Sequence, residues 1–526
     1  MGGKTRWIGL GAVSLAISLI IMDGTIVSVA IPSIVKDLGI NSTEVQWIQE
    51  IYTLLFASLL LIWGRLSDRV GSKLLLLIGI VIFVASSIAC SLAATGVELI
   101  IFRAIQGIGG SMILPTTLSV LNHNFRGRER TIAFAIWGAT IGGMAAVGPL
   151  VGGWLSENAS WRWAFGLNIP FGIIAFLGVL MFIAETSRTK NIQRTPDVLG
   201  SVLSVAGLGL FVFALIEGRN FGWWFATDGA DFALGTFSII PVCFALAAIF
   251  IVSFVFWERH REAQNNAGLL DLSLFKISSF ANGNVTALVV SLGEFGLILS
   301  LPLWFQNVAG MSAFEAGLGL LPLALGSFLA SGAISGLSKR MSALALVRTG
   351  LALEIVGLAA IALVINPAAN AWTTAPFLFI YGIGVGFATS QLTSVILIDV
   401  PMDKSGQGSA TQSTSRQLGS AMGIAILGTI LFSTLKNGTE QRLADEIAAN
   451  PKVADMVDAI DASSGGAIAQ LAANPATADV AKAASDAMTQ GVAFAAAAGT
   501  IALIIGLITS LRIKSVKAHE PADDMN

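Results

Sequence analysis

Long apolar runs separated by short polar turns recur along the whole chain. Fourteen stand out, at roughly 7–31, 46–63, 74–94, 98–121, 131–154 and 163–184, then 198–217 and 232–256, then 279–304, 314–337, 343–365, 374–398, 408–435 and 490–511. A bilayer core is about 30 Å thick and a helix rises about 1.5 Å per residue, so about 20 apolar residues cross it. The pattern predicts an all-α integral membrane protein with fourteen transmembrane helices.

Polar positions supply the topology. Lys4, Arg6, Arg65, Arg69, Lys73, Arg126, Arg128, Arg130, Arg188, Lys190, Lys339, Arg340 and Arg416 count toward one side. The short loops of the other side hold only Lys36, Arg162 and Arg219. Basic residues favour the cytoplasmic side, so both termini are expected there, in the cell membrane. Lys4 and Arg6 precede a run too long for a signal-peptide core, which reads as an uncleaved first span.

The pattern also repeats. Gly107-Ile108-Gly109 with Ser119-Val120 is echoed at equal spacing by Gly382-Ile383-Gly384 with Ser394-Val395. Leu66-Ser67-Asp68-Arg69-Val70 is echoed by Leu337-Ser338-Lys339-Arg340-Met341. The expected division is a six-helix half over 1–190, two inserted helices within 191–262, and a second six-helix half over 263–526. Transporters are commonly built from such repeats, with the substrate site at their interface. Segment 436–489 is Ala-rich and acidic, and reads either as short amphipathic helices over the outer mouth or as a solvated connector.

Composition agrees with a membrane protein. Hydrophobic residues make up 55% and charged residues 12%, against about 25% charged in soluble domains. Cys90 and Cys243 sit in apolar runs and read as small buried hydrophobes. No phosphate loop, metal-ligand cluster or catalytic triad pattern is present, so no enzyme, primary pump, cofactor or metal is expected, nor a nucleic-acid partner.

Charges inside the apolar runs are the candidate chemistry, since each costs roughly 2.5–3.5 kcal/mol near a bilayer centre. Asp23 lies in the first span, Glu50 about a turn into the second, Arg103 in the fourth, Glu294 midway along the ninth and Glu354 in the eleventh. Asn284, Ala287, Ser291 and Glu294 recur at spacings of three and four, giving one small, polar helix face. Each charge has a plainer reading, as a structural partner or an interfacial group.

Gly64-Arg65-Leu66-Ser67-Asp68-Arg69-Val70-Gly71-Ser72-Lys73 joins spans two and three. This pattern resembles the signature loop of the major facilitator superfamily. Arg103-Ala104-Ile105-Gln106-Gly107 resembles the family's fourth-helix motif, and the stretch from Gly138 to Gly148-Pro149-Leu150-Val151-Gly152-Gly153 its fifth-helix antiporter motif. Asp23-Gly24-Thr25-Ile26-Val27 with Ala30-Ile31-Pro32 is similar to the fourteen-span drug:proton antiporter branch, as is Trp161-Arg162-Trp163-Ala164-Phe165 with Asn168 and Pro170.

The resemblance implies a major facilitator fold that moves small molecules by alternating access, driven by the proton gradient. Its implied assignments are Asp23, Glu50, Glu294 and Arg103 for proton and substrate coupling, and Gly64, Asp68, Arg69 and Gly71 as a conformational latch. Gly148, Pro149, Gly152 and Gly153 would form the antiporter motif, and Tyr52, Tyr381, Phe387 and Gln391 would line the substrate cavity. Span eleven is a scaffold helix in that fold, so a structural pair is expected for Glu354. An acidic residue at position 50 resembles members that export cationic compounds. The expected activity is efflux of hydrophobic, cationic drugs by a monomer in the bilayer. The alternatives are export of an endogenous lipid or self-made antibiotic, and proton-coupled import.

Overall fold

The computed structural model describes residues 3–40, 42–184, 197–227, 233–264 and 268–513. Its first bundle holds α1 (Gly3–Leu38), α2 (Ser42–Val70), α3 (Ser72–Leu92), α4 (Gly96–Asn124), α5 (Gly127–Asn158), the short α6 (Arg162–Gly166) and α7 (Asn168–Phe182). Next come α8 (Val198–Phe221), strands β1 (Ala233–Leu234) and β2 (Phe237–Ser238), and α9 (Ile240–Ala263). The second bundle holds α10 (Ser278–Asn307), α11 (Ala313–Gly319), α12 (Leu321–Leu337), α13 (Ala343–Val364), α14 (Ala371–Leu397) and α15 (Ser405–Arg442). Three short helices, α16 (Ala444–Ala449), α17 (Pro451–Ala462) and α18 (Ala467–Ala472), precede α19 (Ala478–Leu511).

Thirteen helical stretches among the described residues are long and apolar enough to cross a membrane. α5 is a further helix of 32 residues, about 48 Å long at about 1.5 Å per residue. Faces that would be unstable in water mark where lipid sits. On α9, Val242, Leu246, Ile249, Val252 and Phe256 are exposed at helical spacing, and Leu74, Ile78, Val81, Ile88 and Leu92 do the same on α3. This is a multi-pass membrane protein.

Tight turns are held by caps. The Thr95 hydroxyl accepts from the Glu98 N–H at the start of α4. Ser312 with Glu315 and Asn370 with Thr373 form reciprocal capping boxes at α11 and α14. In the first bundle α1 packs on α5 and α7, and α4 on α2 and α3. In the second α10 packs on α15 and α19, and α14 on α12 and α13. Two seams join the bundles, α2 and α4 against α15, and α5 against α12 and α14. α8 packs on α9, α2 and α15.

Two expected boundaries move. The eighth apolar run was read from 232, but the helix begins at Ile240, because Ala233–Leu234 and Phe237–Ser238 pair as a hairpin turning on Gly235 at φ +69°. Segment 436–489 does hold short helices, but its two ends belong to the flanking long helices. α15 runs on to Arg442, and α19 starts at Ala478, where Ala-rich sequence propagates helix well. Between them Val457, Ile460 and Ile468 are buried in the main core, and Asn307 Nδ2 donates to the Ser464 carbonyl at 3.1 Å. The short helices pack on the ends of α10, α15 and α19.

Candidate functional site

Asp23 is fully buried, and the network around it draws on four other helices, α2, α3, α4 and α7. Arg103 of α4 donates from Nη1 to Asp23 Oδ2 at 2.5 Å. Gln106 Nε2 and Asn168 Nδ2 both donate to Asp23 Oδ1 at 2.8 Å, and both also reach Ser87 Oγ of α3. Arg103 Nε donates to the Ile48 carbonyl of α2 at 3.1 Å, and its guanidinium lies 4.3 Å from the Tyr52 ring centroid. Both carboxylate oxygens are occupied, so the charge is compensated on every side. Tyr52 belongs to this knot as the platform under Arg103. Sequence reasoning found Asp23 and Arg103 and missed Ser87 and Asn168 as partners, because neutral polar residues are common in these helices.

The last turns of α2 close one end of the molecule. Asp68 Oδ1 accepts from the Gly406 N–H at 2.6 Å and Oδ2 from the Gln407 N–H at 3.0 Å, capping the first turn of α15. A carboxylate there meets free backbone donors and the positive end of the helix dipole. The approach needs Gly64, where a methyl group would fall 2.1 Å from Ala410 Cβ and 2.6 Å from the Gly406 carbonyl oxygen. Gly71 takes φ +101° to start α3, and Arg69 is half-buried beside it. The same end is tied by Asn122 Nδ2 to Ser405 Oγ at 2.9 Å and by Arg128 Nη2 to the Ser335 carbonyl at 2.6 Å.

α5 bridges the bundles through its small residues. A Cβ at Gly138 would meet Ser390 Cβ of α14 at 2.6 Å. Cβ atoms at Gly148 and Gly152 would meet Thr25 Oγ1 and Ile26 Cγ1 of α1 at 1.8 and 2.8 Å. Pro149 and Gly153 lie in α5, and their side chains fall outside the described residues.

The second bundle holds a looser charge cluster. Glu294 Oε1 accepts from Thr389 Oγ1 at 2.9 Å, while Oε2 lies 3.8 Å from Arg416 Nη2, beyond hydrogen-bond reach. A cavity of about 10 Å³, room for about one water, lies among Ser291, Glu294, Thr389, Thr393, Gln412 and Arg416. Arg416, counted above with the basic residues of the inner side, sits inside α15 and faces this carboxylate, a correction to that count. Its position eight residues into an apolar run was the available signal.

Glu354 is completely buried and neither carboxyl oxygen has a hydrogen-bond partner. Among the described residues the expected pair for Glu354 on α13 is absent, although Glu294 and Arg416 both act on it electrostatically. Tyr381 is buried with its hydroxyl unpartnered. Phe387 packs with Ala135, Ala330, Ile334 and Leu346, and Gln391 Nε2 donates to the Thr131 carbonyl at 3.4 Å. These three side chains are enclosed by packing in this conformation. A larger cavity, about 240 Å³, lies between α1, α5 and α12 and is lined by Gly11, Ser14, Ser18, Thr140, Gly143 and Phe328 among others.

Glu50 faces Glu217 of α8, while Tyr52 lies under Arg103. Glu217 had not been singled out from the sequence. Asp23, Glu50 and Glu294 therefore sit in three separate environments.

A family model for the Major Facilitator Superfamily matches residues 13–228 and 198–424. The chain is 33% identical over 441 residues to a Streptomyces coelicolor protein named "Probable actinorhodin transporter", covering 82% of this chain and 73% of that one. It is 29% identical over 430 residues to the Bacillus subtilis "Multidrug transporter protein MdtP", covering 82% and 76% respectively. Among solved structures, the human organic anion transporter MFSD10 superposes with a TM-score of 0.60 at 12% identity, covering 96% of this chain and 100% of that one, a likeness of fold alone. Two helical bundles joined at α2/α15 and α5/α12 and the match along most of the sequence lead to one conclusion: the chain belongs to the major facilitator superfamily.

Proposed function

We propose that this protein exports hydrophobic, cationic small molecules across the cell membrane in exchange for protons. It does so as a monomer with fourteen crossings and both termini in the cytoplasm. The two bundles rock about the seams and expose a central site alternately to each side. The proton gradient supplies the drive, and no cofactor takes part. Relatives named for transport of actinorhodin and of multiple drugs support export of small organic molecules.

One observation carries the choice of residue. Glu294 is the coupling carboxylate that keeps a neighbouring space, with a single hydroxyl partner and an arginine just out of contact. Asp23, by contrast, has both oxygens taken. The exchangeable charge therefore belongs on Glu294, with Arg416 and the unpartnered Glu354 setting the field around it. In the protonated form Glu294 holds no cation. Once its proton leaves toward the cytoplasm, the carboxylate attracts the next substrate. Asp23 with Arg103 holds the first bundle together, and Asp68 latches the cytoplasmic end. Tyr381, Phe387 and Gln391 become cavity walls when the bundles part.

The test uses purified protein in liposomes with a pH-sensitive dye inside. A panel of lipophilic cations is added under a proton gradient. Wild type is expected to move protons on cation addition, and Glu294→Gln to lose that response. Full coupling in Glu294→Gln would remove Glu294 from the mechanism. If no cation moves protons even in wild type, the cationic substrate is wrong. Export of a self-made antibiotic then becomes the reading, which the Streptomyces relative favours.

A further inference from the structure

The inserted helices α8 and α9 have no part in the mechanism above, yet α8 stands across the α2/α15 seam. On the α2 side, Phe213 stacks on Trp47 with centroids 6.4 Å apart, which sets Glu217, a turn beyond Phe213, against Glu50, a turn beyond Trp47. On the α15 side, Leu215 is buried with Ala421 and Ala425. At the other end of α8, Asp197 caps the helix and accepts from Trp257 Nε1 of α9 at 2.8 Å. The Glu217 end also packs on α9, through Ala214 and Phe221 against Ile240 and Cys243, so α8 and α9 form one unit whose contact with α2 is the part that can open.

Glu217 is 2% exposed, and Asn220 Nδ2 donates to its Oε2 at 3.0 Å. A carboxylate only accepts hydrogen bonds, so two facing carboxyl groups can bond each other only when one of them holds a proton. Without it, two negative charges face each other in a poorly solvated place. The surroundings bring no substitute cation among the described residues. Arg103 on α4 is engaged by Asp23, and Glu44 of α2 lies against Gly96 at the start of α4. The neighbouring side chains of α9 and α15 are Cys243, Phe244, Ala421, Met422 and Ala425. The Arg219 side chain falls outside the described residues.

We propose that Glu50 and Glu217 form a single proton-binding site between the first bundle and the inserted helix pair, and that loss of its proton unclasps α8 from α2. One proton passes from the O–H···O⁻ pair to the outer water and leaves two carboxylates. Their repulsion frees the outer end of the α2/α15 seam. With the proton bound, α8 spans both bundles and holds that end shut. The inference rests on the alternating-access reading above and gives the inserted helices their role in it: a proton-operated clasp on the outer gate.

The test needs no substrate. Spin labels are placed at Gln49→Cys and Trp224→Cys, both exposed near the α2 and α8 ends, with Cys90 and Cys243 replaced by alanine. Distances are measured in lipid nanodiscs between about pH 5 and about pH 9, a range that covers documented buried glutamates. One short distance is expected in acid, with a second, longer population growing as pH rises. Glu217→Gln, and separately Glu50→Gln, should keep the short distance throughout. A wild-type distribution that does not change with pH overturns the proposal, as does a pH response that survives both substitutions. If neither variant folds, difference infrared spectra of the labelled wild type decide. The protonated-carboxyl band must fade over the same pH range as the distance change, and a constant band overturns the clasp. A clasp that responds while liposome transport fails would sink the export reading alone; transport without a clasp response would sink this one alone.

Discussion

At the scale of single residues, two buried carboxylates in equivalent first helices of the bundles have opposite surroundings. Asp23→Ala would strand the Arg103 charge and free the Gln106 and Asn168 amides in the protein interior. Breaking such a buried pair costs about 3–5 kcal/mol. Glu294→Gln keeps the acceptor for Thr389, changes no volume and leaves Glu354 acting on Arg416, so its cost should be smaller than that of Asp23→Ala. Thermal unfolding in detergent checks the contrast, and equal midpoints would refute it. Outside the spans, Asp271 is partly buried, which raises its pKa, but Lys404 Nζ at 2.5 Å and Ser273 outweigh this and hold it below the ordinary 3.8. A depressed folded value lends stability above the ordinary carboxylate range and loses it as pH falls through the folded value. The stability difference between wild type and Lys404→Met should therefore be flat from about pH 5 to about pH 8 and shrink below about pH 4. Unfolding midpoints against pH read this directly. The charged positions were legible in the sequence because a charge in an apolar run is too costly to be incidental. Their pairing was not. Arg416 looked like one more inner-side basic residue until α15 carried it to Glu294, and Glu217 looked like the end of an inserted helix until α8 packed on Glu50.

At the scale of elements, α5 separates glycines that matter from glycines that do not. Gly148 lies so close to α1 that a Cβ would stand 1.8 Å from Thr25 Oγ1 and 3.2 Å from the Met22 carbonyl oxygen. At Gly143 the nearest atom, on Phe328, is 3.8 Å away. Gly148→Ala must push the helices apart, at about 1–3 kcal/mol for overpacking, whereas Gly143→Ala should be silent or slightly stabilising. Thermal midpoints and the yield of folded protein test both, and a silent Gly148→Ala would show that the α1/α5 contact is not tight. The helices themselves could be read from apolar runs of sufficient length, because one physical requirement governs nearly all of them. The two misplaced boundaries lie where that requirement lapses. Residues 233–238 fold back as a hairpin at a span end, and 478–489 is helical through Ala-rich packing rather than through hydropathy. Which face of each helix is buried remained hidden, since several runs are apolar all round.

At the scale of the whole molecule, the structure is tied at one end by contacts that all cross between the bundles. Asp68 caps α15, Asn122 meets Ser405, and Arg128 reaches the Ser335 carbonyl. On the proposed alternating-access cycle, each of these must break when this end opens. Each is modest alone, since a net hydrogen bond contributes about 1 kcal/mol and one to a charged group about 1.5–3 kcal/mol. A seam made of several weak contacts can open without unfolding either bundle, whose own helices pack over long interfaces. It follows that a covalent tie here should stop transport while leaving stability unharmed. Asn122→Cys with Ser405→Cys places two thiols where Nδ2 and Oγ now lie 2.9 Å apart. The native Cys90 and Cys243 are buried and should not compete. Oxidation, or a short bifunctional reagent, is expected to abolish export from liposomes, raise the unfolding midpoint, and be reversed by reductant where a disulfide formed. The single Cys variants should transport normally under the same treatment. Undiminished export from the cross-linked pair would mean that this end does not open during the cycle, and the seam would be scaffold rather than gate.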